Sequence, residues 1–304
     1  MSYSAQSRLL LLCPGQGNQH AQMFDLARTS PAAGALLDRL PTPALTEDSL
    51  FANRHAQPLI VAATLGMWEA IREFAPQPAL VAGYSIGELA AYGVAGAFAP
   101  EDTIALATRR AQLMDDCLAI HPGQALVSIT GLTLPQAAAL ATQYDFHVSI
   151  ETGDDTCIAG GPATQAEKLE QAVTAAGARS RRLPVEVASH TPYMQNAVAP
   201  FAETLRQASF NAMHAPVMAG ISAVAVQGKE QAVDLLSRQL SEKIRWLACM
   251  DACAEAGITY ALELGPGNPL SRMMQMRHPH INTRSVADFR TLDGIRKWLE
   301  RAAE

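Results

Sequence analysis

Two textures of apolar and polar residues alternate along this chain. Short apolar runs bounded by glycine or proline predict buried strands, and apolar positions recurring every three or four residues predict helices. Up to about residue 123 the pattern predicts strands at 9–12 and 80–83. Helices are predicted around 21–38, 57–74, 85–95 and 101–117, before Pro122-Gly123 interrupts the chain. From Ala125 the spacing changes. It predicts strand 125–131, helix 135–144, strands 148–150 and 156–159, helix 164–176 and strand 180–185. That βαββαβ order is the ferredoxin-like pattern of a small sheet with two helices. After His190 the first texture returns, with helix 192–207, strand 216–221, helices 231–240 and 246–256 and strand 260–264. A short helix near 270–276, strand 281–286 and helix 291–302 complete it. Strands alternating with helices imply a mainly parallel sheet covered on both faces. The expected fold class is therefore α/β: a large subdomain of residues 1–123 and 189–304, into which a ferredoxin-like subdomain of residues 124–188 is inserted.

Composition narrows the function classes. Of 304 residues 49% are apolar and 17% charged, a lower charged share than the usual ~25%, which suits a compact enzyme. A net charge of −6, with no basic run longer than Arg179-Ser180-Arg181-Arg182, speaks against nucleic acid. The five cysteines at 13, 117, 157, 249 and 253 are scattered, odd in number and without a C-x-x-C. They predict core thiols in a reducing compartment, with neither a disulfide framework nor a metal site. Leu9–Cys13 is too short for a signal peptide or a span, and 58–71 carries Glu69 at helical spacing. A cytoplasmic protein without a membrane segment is expected.

Gly83-Tyr84-Ser85-Ile86-Gly87 lies between the strand at 80–83 and a helix on which Ile86, Leu89, Ala90 and Val94 share a face. That is the G-x-S-x-G pattern of a nucleophile elbow. A plain strand–helix turn with a serine N-cap satisfies the same five residues. Sites in open parallel sheets collect at the carboxyl ends of strands. The loops at Cys13–Gln19 and Gly265–Asn268 qualify, as does the segment around His190, which sits ahead of Thr191-Pro192 on a loop. Gly15 and Gly17 do not extend to a dinucleotide fingerprint, because position 20 is His20.

The segments CPGQGNQ, GYSIGELAAYGVAGAF, TRRAQLM, VASHTPYM, RQL and ELGPGNPL stand in the order found in malonyl-CoA:acyl carrier protein transacylases, and the chain resembles that family over nearly its whole length. The resemblance implies an α/β-hydrolase-like large subdomain plus the small insert. It implies transfer of malonyl from malonyl-CoA to a carrier's phosphopantetheine thiol through a malonyl-serine ester, with no bound cofactor or metal. Ser85 matches the nucleophile and His190 the base that activates it. The backbone N–H groups of Ile86 and Gln16 match the oxyanion hole. Arg110, four residues before Met114 in the family's Arg…Met pattern, matches the clamp on the free malonyl carboxylate, with Met114 beside it. Arg109 reads as surface. Gln239 matches the residue whose backbone carbonyl orients the histidine, which makes its side chain partly dispensable.

The chain departs from the family pattern at Tyr84, where histidine is usual, at Glu151 and Val217–Ile221, where asparagines are usual, and at Ser241–Trp246. These departures leave the carrier open: fatty acid synthesis, the carrier subunit of malonate decarboxylase, or a polyketide line served by a stand-alone acyltransferase. A serine esterase or thioesterase is the rival in reaction class. There an acidic triad member stands between Ser and a His near the end, whereas 114 residues follow His190 here. Arg179, Arg181, Arg182, Lys243 and Arg245 are candidate contacts for an acidic carrier.

Overall fold

The computed structural model describes residues 7–44, 46 and 50–303. A six-stranded sheet is built from β1 (Leu9–Cys13), β2 (Leu80–Gly83), β7 (Val217–Ala219), β8 (Val224–Val226), β9 (Tyr260–Glu263) and β10 (Asn282–Ser285), in the order β10-β9-β1-β2-β7-β8. All pairings are parallel except β7 with β8. Strand β1 is buried along its whole length. Leu9 and Leu11 face one core and Leu10 and Leu12 the other, because strand side chains alternate between faces. A run of four leucines therefore fits here and would not fit a half-exposed strand.

The first core is closed by α1 (Pro31–Arg39), α2 (Asn53–Ile71), α3 (Ile86–Val94), α4 (Pro100–Ile120), α7 (Gln195–Gln207), α8 (Lys229–Arg238) and α11 (Leu292–Ala303). The second is closed by α9 (Trp246–Glu255) and α10 (Pro269–Arg277). The helix expected over 21–38 starts only at Pro31, with the Ser30 side chain accepting from Ala33 N; the chain before it is turns and one 3-10 turn. Strand β8, unforeseen, is an antiparallel edge with two exposed residues.

The small subdomain has its own sheet. Strands β3 (Gln124–Thr130), β4 (His147–Glu151), β5 (Thr156–Pro162) and β6 (Arg179–Arg182) run antiparallel in the order β4-β5-β3-β6, with α5 (Leu134–Thr142) and α6 (Ala163–Ala175) as the crossover helices. A threonine–glutamine capping box starts α5. Strand β6 stops at Arg182, short of the expected 185. The β4 edge is covered by the large subdomain. Ile244 N donates to Ser149 O and Glu151 N to Ile244 O, both 2.9 Å, and Ser149 Oγ donates to Ser189 O at 2.7 Å.

The backbone is closest where β1, β2 and α3 meet. A Cβ on Gly87 would lie 2.1 Å from Cys13 O and 2.6 Å from Pro14 O, and one on Gly83 would lie 2.1 Å from Gly87 O. These are backbone atoms, so no side-chain rotation relieves the clash. Gly228, by contrast, has nothing within 4 Å and an ordinary φ of −114°. Gly87→Ala is expected to cost about 3 kcal/mol or more of stability and Gly228→Ala less than about 0.5 kcal/mol. The urea midpoints of the two variants check this, and equal midpoints would contradict the close approach.

Candidate active site

Strands β9, β1, β2 and β7 lie side by side, and the loops leaving their carboxyl ends converge. The tightest turn carries Ser85, at φ 56° and ψ −120°. A β-carbon in that region costs about 1–3 kcal/mol. The serine makes no helix-capping hydrogen bond. Its Oγ lies instead 2.7 Å from His190 Nε2, which decides between the elbow and the capping turn in favour of the elbow.

His190 is held as firmly. Its φ is 61°, its N–H donates to Leu240 O at 2.8 Å, and the residue is buried. Nδ1 lies 2.6 Å from the Gln239 backbone carbonyl. A carbonyl only accepts, so Nδ1 carries the proton and Nε2 is left as the acceptor for the Ser85 hydroxyl. Burial, with Arg110 adding to it, pushes the imidazole pKa down to about 3, against the Gln239 hydrogen bond that raises it. The ring is therefore neutral at working pH and free to take a proton.

Arg110 points inward from α4 and is 1% exposed. Nη1 donates to Gln57 Oε1 at 2.7 Å and lies 3.3 Å from Met114 Sδ; Nη2 donates to Gln239 Oε1 at 3.1 Å. Burial lowers its pKa to about 10, with Glu88 opposing that shift; the group stays charged at neutral pH. No carboxylate among the described residues forms an ion pair with it. Arg109, one residue earlier, is exposed.

The Gln239 side chain corrects the sequence expectation. It is fully buried, and its amide is bonded at both ends. Nε2 donates to Ser85 O at 3.0 Å and to Glu88 Oε2 at 2.7 Å, while Oε1 faces Arg110. The side chain ties the nucleophile's backbone, Glu88 and the guanidinium together, while the backbone carbonyl holds the base.

The first glycine-rich loop packs onto the elbow, where a Cβ on Gly15 would lie 2.9 Å from Tyr84 O and 3.7 Å from Ser85 Cβ. The buried Gln19 braces it, accepting from Gly17 N and donating to Leu50 O. Gln16 is half-buried and lines a cleft of about 530 Å³ between the subdomains, together with Phe51, Asn53, Arg182 and Val187. Ile86 is the first residue of α3, where a helix leaves its N–H groups without internal partners. The Gly265–Asn268 loop supports the first loop from behind, a Cβ on Gly265 meeting Pro14 Cγ at 2.0 Å.

Three contributors escaped the sequence reading: Gln57, Gln19 and Glu88. All are buried to 5% exposure or less; Gln57 and Glu88 stand in or at the edge of apolar stretches, and that mismatch is the signal they offer, whereas Gln19 lies in a polar loop and offers none. Of the departures, Tyr84 packs edge-on against Trp246 with ring centres 5.3 Å apart. Glu151 is ion-paired with Lys243. Lys243 is thereby engaged within the molecule, as is Arg182, which binds Glu170 at 3.1 and 3.3 Å; the expected basic patch shrinks to Arg179, Arg181 and Arg245, all exposed. All five cysteines are buried and free.

Residues 10–257 match the family model described as acyl transferase domain. The malonyl CoA-acyl carrier protein transacylase of Mycobacterium tuberculosis is 31% identical over 301 residues, covering 94% of this chain and 99% of that protein. The crystal structure of the Mycobacterium tuberculosis enzyme superposes with a TM-score of 0.86 at 30% identity, over 95% of this chain and 99% of that one. A malonyl-transacylase solved in complex with its type II polyketide synthase acyl-carrier protein superposes with a TM-score of 0.88 at 25% identity, over 96% and 99%. On these likenesses and on the fold that carries them, the chain belongs to the malonyl-CoA:acyl carrier protein transacylase family of acyl transferases.

Proposed function

We propose that this chain moves a malonyl group from malonyl-CoA to the phosphopantetheine thiol of an acyl carrier protein, using Ser85 and His190 in two half-reactions. The observation that carries the reading is a buried guanidinium that no carboxylate among the described residues touches directly, beside a serine hydroxyl already bonded to a neutral imidazole. A buried charge left unpaired is costly. Two neutral amide oxygens, Gln57 Oε1 and Gln239 Oε1, occupy the Arg110 fork. A carboxylate is the stronger acceptor and binds that fork bidentately. Malonyl thioesters bring such a carboxylate and acetyl thioesters do not.

In the first half-reaction His190 Nε2 takes the Ser85 proton as Oγ attacks the thioester carbonyl. The negative oxygen is held by the Ile86 and Gln16 N–H groups, and the tetrahedral adduct expels CoA thiolate, which receives the proton from His190. In the second, the carrier thiol gives its proton to the same nitrogen and attacks the malonyl ester. Ser85 leaves and regains its hydrogen. One neutral imidazole serves both directions. A hydrolase has no use for a buried carboxylate clamp, which disfavours the esterase reading. The acceptor class is the carrier of fatty acid synthesis. The malonate decarboxylase carrier is the second reading, favoured only by Tyr84, Glu151 and the Ser241–Trp246 segment. The five unpaired thiols favour the cytoplasm as the site of reaction. Among the described residues no helix is long and apolar enough to cross a membrane.

Ser85→Ala is expected to abolish the covalent malonyl adduct, read by intact-mass spectrometry; a malonyl group trapped on another residue would contradict it. His190→Ala is expected to slow both half-reactions about 10²–10⁴-fold, measured by stopped-flow release of CoA and by carrier loading.

Removing one partner of a buried charge pair costs about 2–5 kcal/mol, about 30- to 5,000-fold. Arg110→Ala is expected to lose malonyl kcat/KM by that factor and to gain relative activity with acetyl-CoA, whereas Arg109→Ala does neither. An unchanged malonyl-to-acetyl ratio in Arg110→Ala would remove the dicarboxylate specificity.

For the carrier, reversing Arg179, Arg181 and Arg245 to glutamate is expected to raise the carrier KM and leave acylation by malonyl-CoA untouched. Unaltered carrier kinetics would place the docking surface elsewhere.

A further inference from the structure

Glu88 is a carboxylate in an unusual position. It lies one turn into α3, directly behind the nucleophile, and is 1% exposed. Oε2 accepts from Gln239 Nε2 at 2.7 Å and from Gly220 N at 3.0 Å. Oε1 has no hydrogen-bond partner, and neither do Tyr92 Oη, one turn further along the same helix, and Arg110 Nε. Glu88 and Arg110 are joined only through the Gln239 amide, Oε2···Nε2 on one side and Oε1···Nη2 on the other. Gly220 approaches this carboxylate closely: a Cβ there would meet Oε2 at 2.9 Å and push the carboxylate aside.

Counting charge around this buried centre gives a consequence. With the anchor empty, one guanidinium faces one carboxylate across an amide, and His190 is neutral. A malonyl carboxylate on Arg110 would put two negative groups around one positive group in a buried site. Two carboxylates sharing such a site cannot both stay ionised at ordinary cost; one takes a proton. The incoming carboxylate makes direct contact with the guanidinium, while Glu88 holds it at one remove and has an oxygen free to carry hydrogen. We infer that Glu88 is the exchangeable counter-charge of Arg110: at mildly alkaline pH it is ionised while the anchor is empty, and it takes up a proton from solvent when the malonyl carboxylate arrives. Specificity for a dicarboxylate acyl group is then linked to proton uptake, and binding of acetyl-CoA is not.

The remaining titratable groups around Glu88 do not compete. Burial raises the Tyr92 hydroxyl, on the same helix, and the Cys249 thiol, on α9, well above their ordinary values, so both stay protonated throughout. Arg110, on α4, stays charged. His190, ahead of α7, is the one alternative proton acceptor. Burial holds the Glu88 carboxyl up at about 7 in the empty site, against its hydrogen bonds from Gln239 and Gly220 and the nearby Arg110 charge. A bound carboxylate raises it further. Proton uptake on binding makes affinity fall as pH rises, by at most about tenfold per pH unit.

The inference rests on the malonyl reading above, and the test separates the two. Malonyl-CoA is titrated calorimetrically into Ser85→Ala, which cannot acylate, in buffers of different ionisation enthalpy. Uptake approaching one proton per malonyl-CoA is expected at about pH 8, vanishing well below pH 7 where Glu88 is already protonated. Acetyl-CoA is expected to bind without uptake. The second variant, Ser85→Ala with Glu88→Gln, is expected to bind malonyl-CoA without uptake. Should it not fold, isotope-labelled glutamate in Ser85→Ala replaces it, and malonyl-CoA must then add a labelled protonated-carboxyl band in difference infrared spectra. Malonyl-CoA binding without uptake in Ser85→Ala overturns the inference but not the malonyl reading. Uptake that persists in the double variant, or an infrared spectrum lacking the labelled band, assigns the proton to His190 and also overturns it. No malonyl-CoA binding at all overturns both.

Discussion

The hydrogen bond from His190 Nδ1 to the Gln239 carbonyl, 2.6 Å long, is the interaction on which the site depends. It replaces the carboxylate that commonly holds a catalytic imidazole. A carboxylate would favour the charged form of the ring with a full negative charge; a neutral carbonyl fixes the tautomer and raises the basicity of the ring through its hydrogen bond alone. In the resting site the imidazole can then stay neutral near the charged Arg110. Because the carbonyl belongs to the residue that ends α8, the helix itself sets the position of the base. The side chain of the same residue reaches the other way, to Ser85 O, Glu88 and Arg110. One glutamine thereby couples acid–base chemistry to acyl recognition.

The insert is wired into this network through backbone. Ile244 extends the small sheet beyond β4, Arg245 N donates to Gly220 O at 2.8 Å, and Gly220 N binds Glu88. A displacement of the small sheet would be felt at Glu88 within three residues of chain. Ile244 and Arg245 lie within the Ser241–Trp246 segment where the sequence leaves the family pattern, yet their part here is carried by main-chain groups, which tolerate a change of side chain.

Much of this was legible because it rests on local rules. The Ser85 turn needs small residues at 83 and 87, and the sequence supplies them. Strands β1 and β2 are plain apolar runs, and the βαββαβ pattern of the insert follows from periodicity alone. Other features were not legible, because their causes are distant in the chain. Glu88 and Gln57 sit on helix faces that would be apolar in an ordinary core, and only the fold brings Gln239 against Glu88 and Arg110 against Gln57. The Gln239 side chain looked incidental because nothing local shows that a residue 129 positions earlier points at it. Likewise, Arg182 and Lys243 looked like a basic surface until the fold set Glu170 and Glu151 against them. Strand β8 is a short edge, too brief for alternation to reveal.

The sheet order has a consequence for how the molecule is made. Strand β1 pairs with β2 on one side and with β9 on the other, and Leu9 meets Tyr260. During synthesis the second neighbour of β1 arrives only after some 250 residues have followed. Until then five apolar residues line an open edge, ready to pair with any other extended chain. Long-range parallel pairing of this kind is slow to form. The Cys13–Gln19 loop takes its shape from Gly265 behind it, so it too is unfinished until that strand is in place. A chain that ends before Gly265 carries Ser85, His190 and Arg110 yet lacks the residue that backs the Cys13–Gln19 loop.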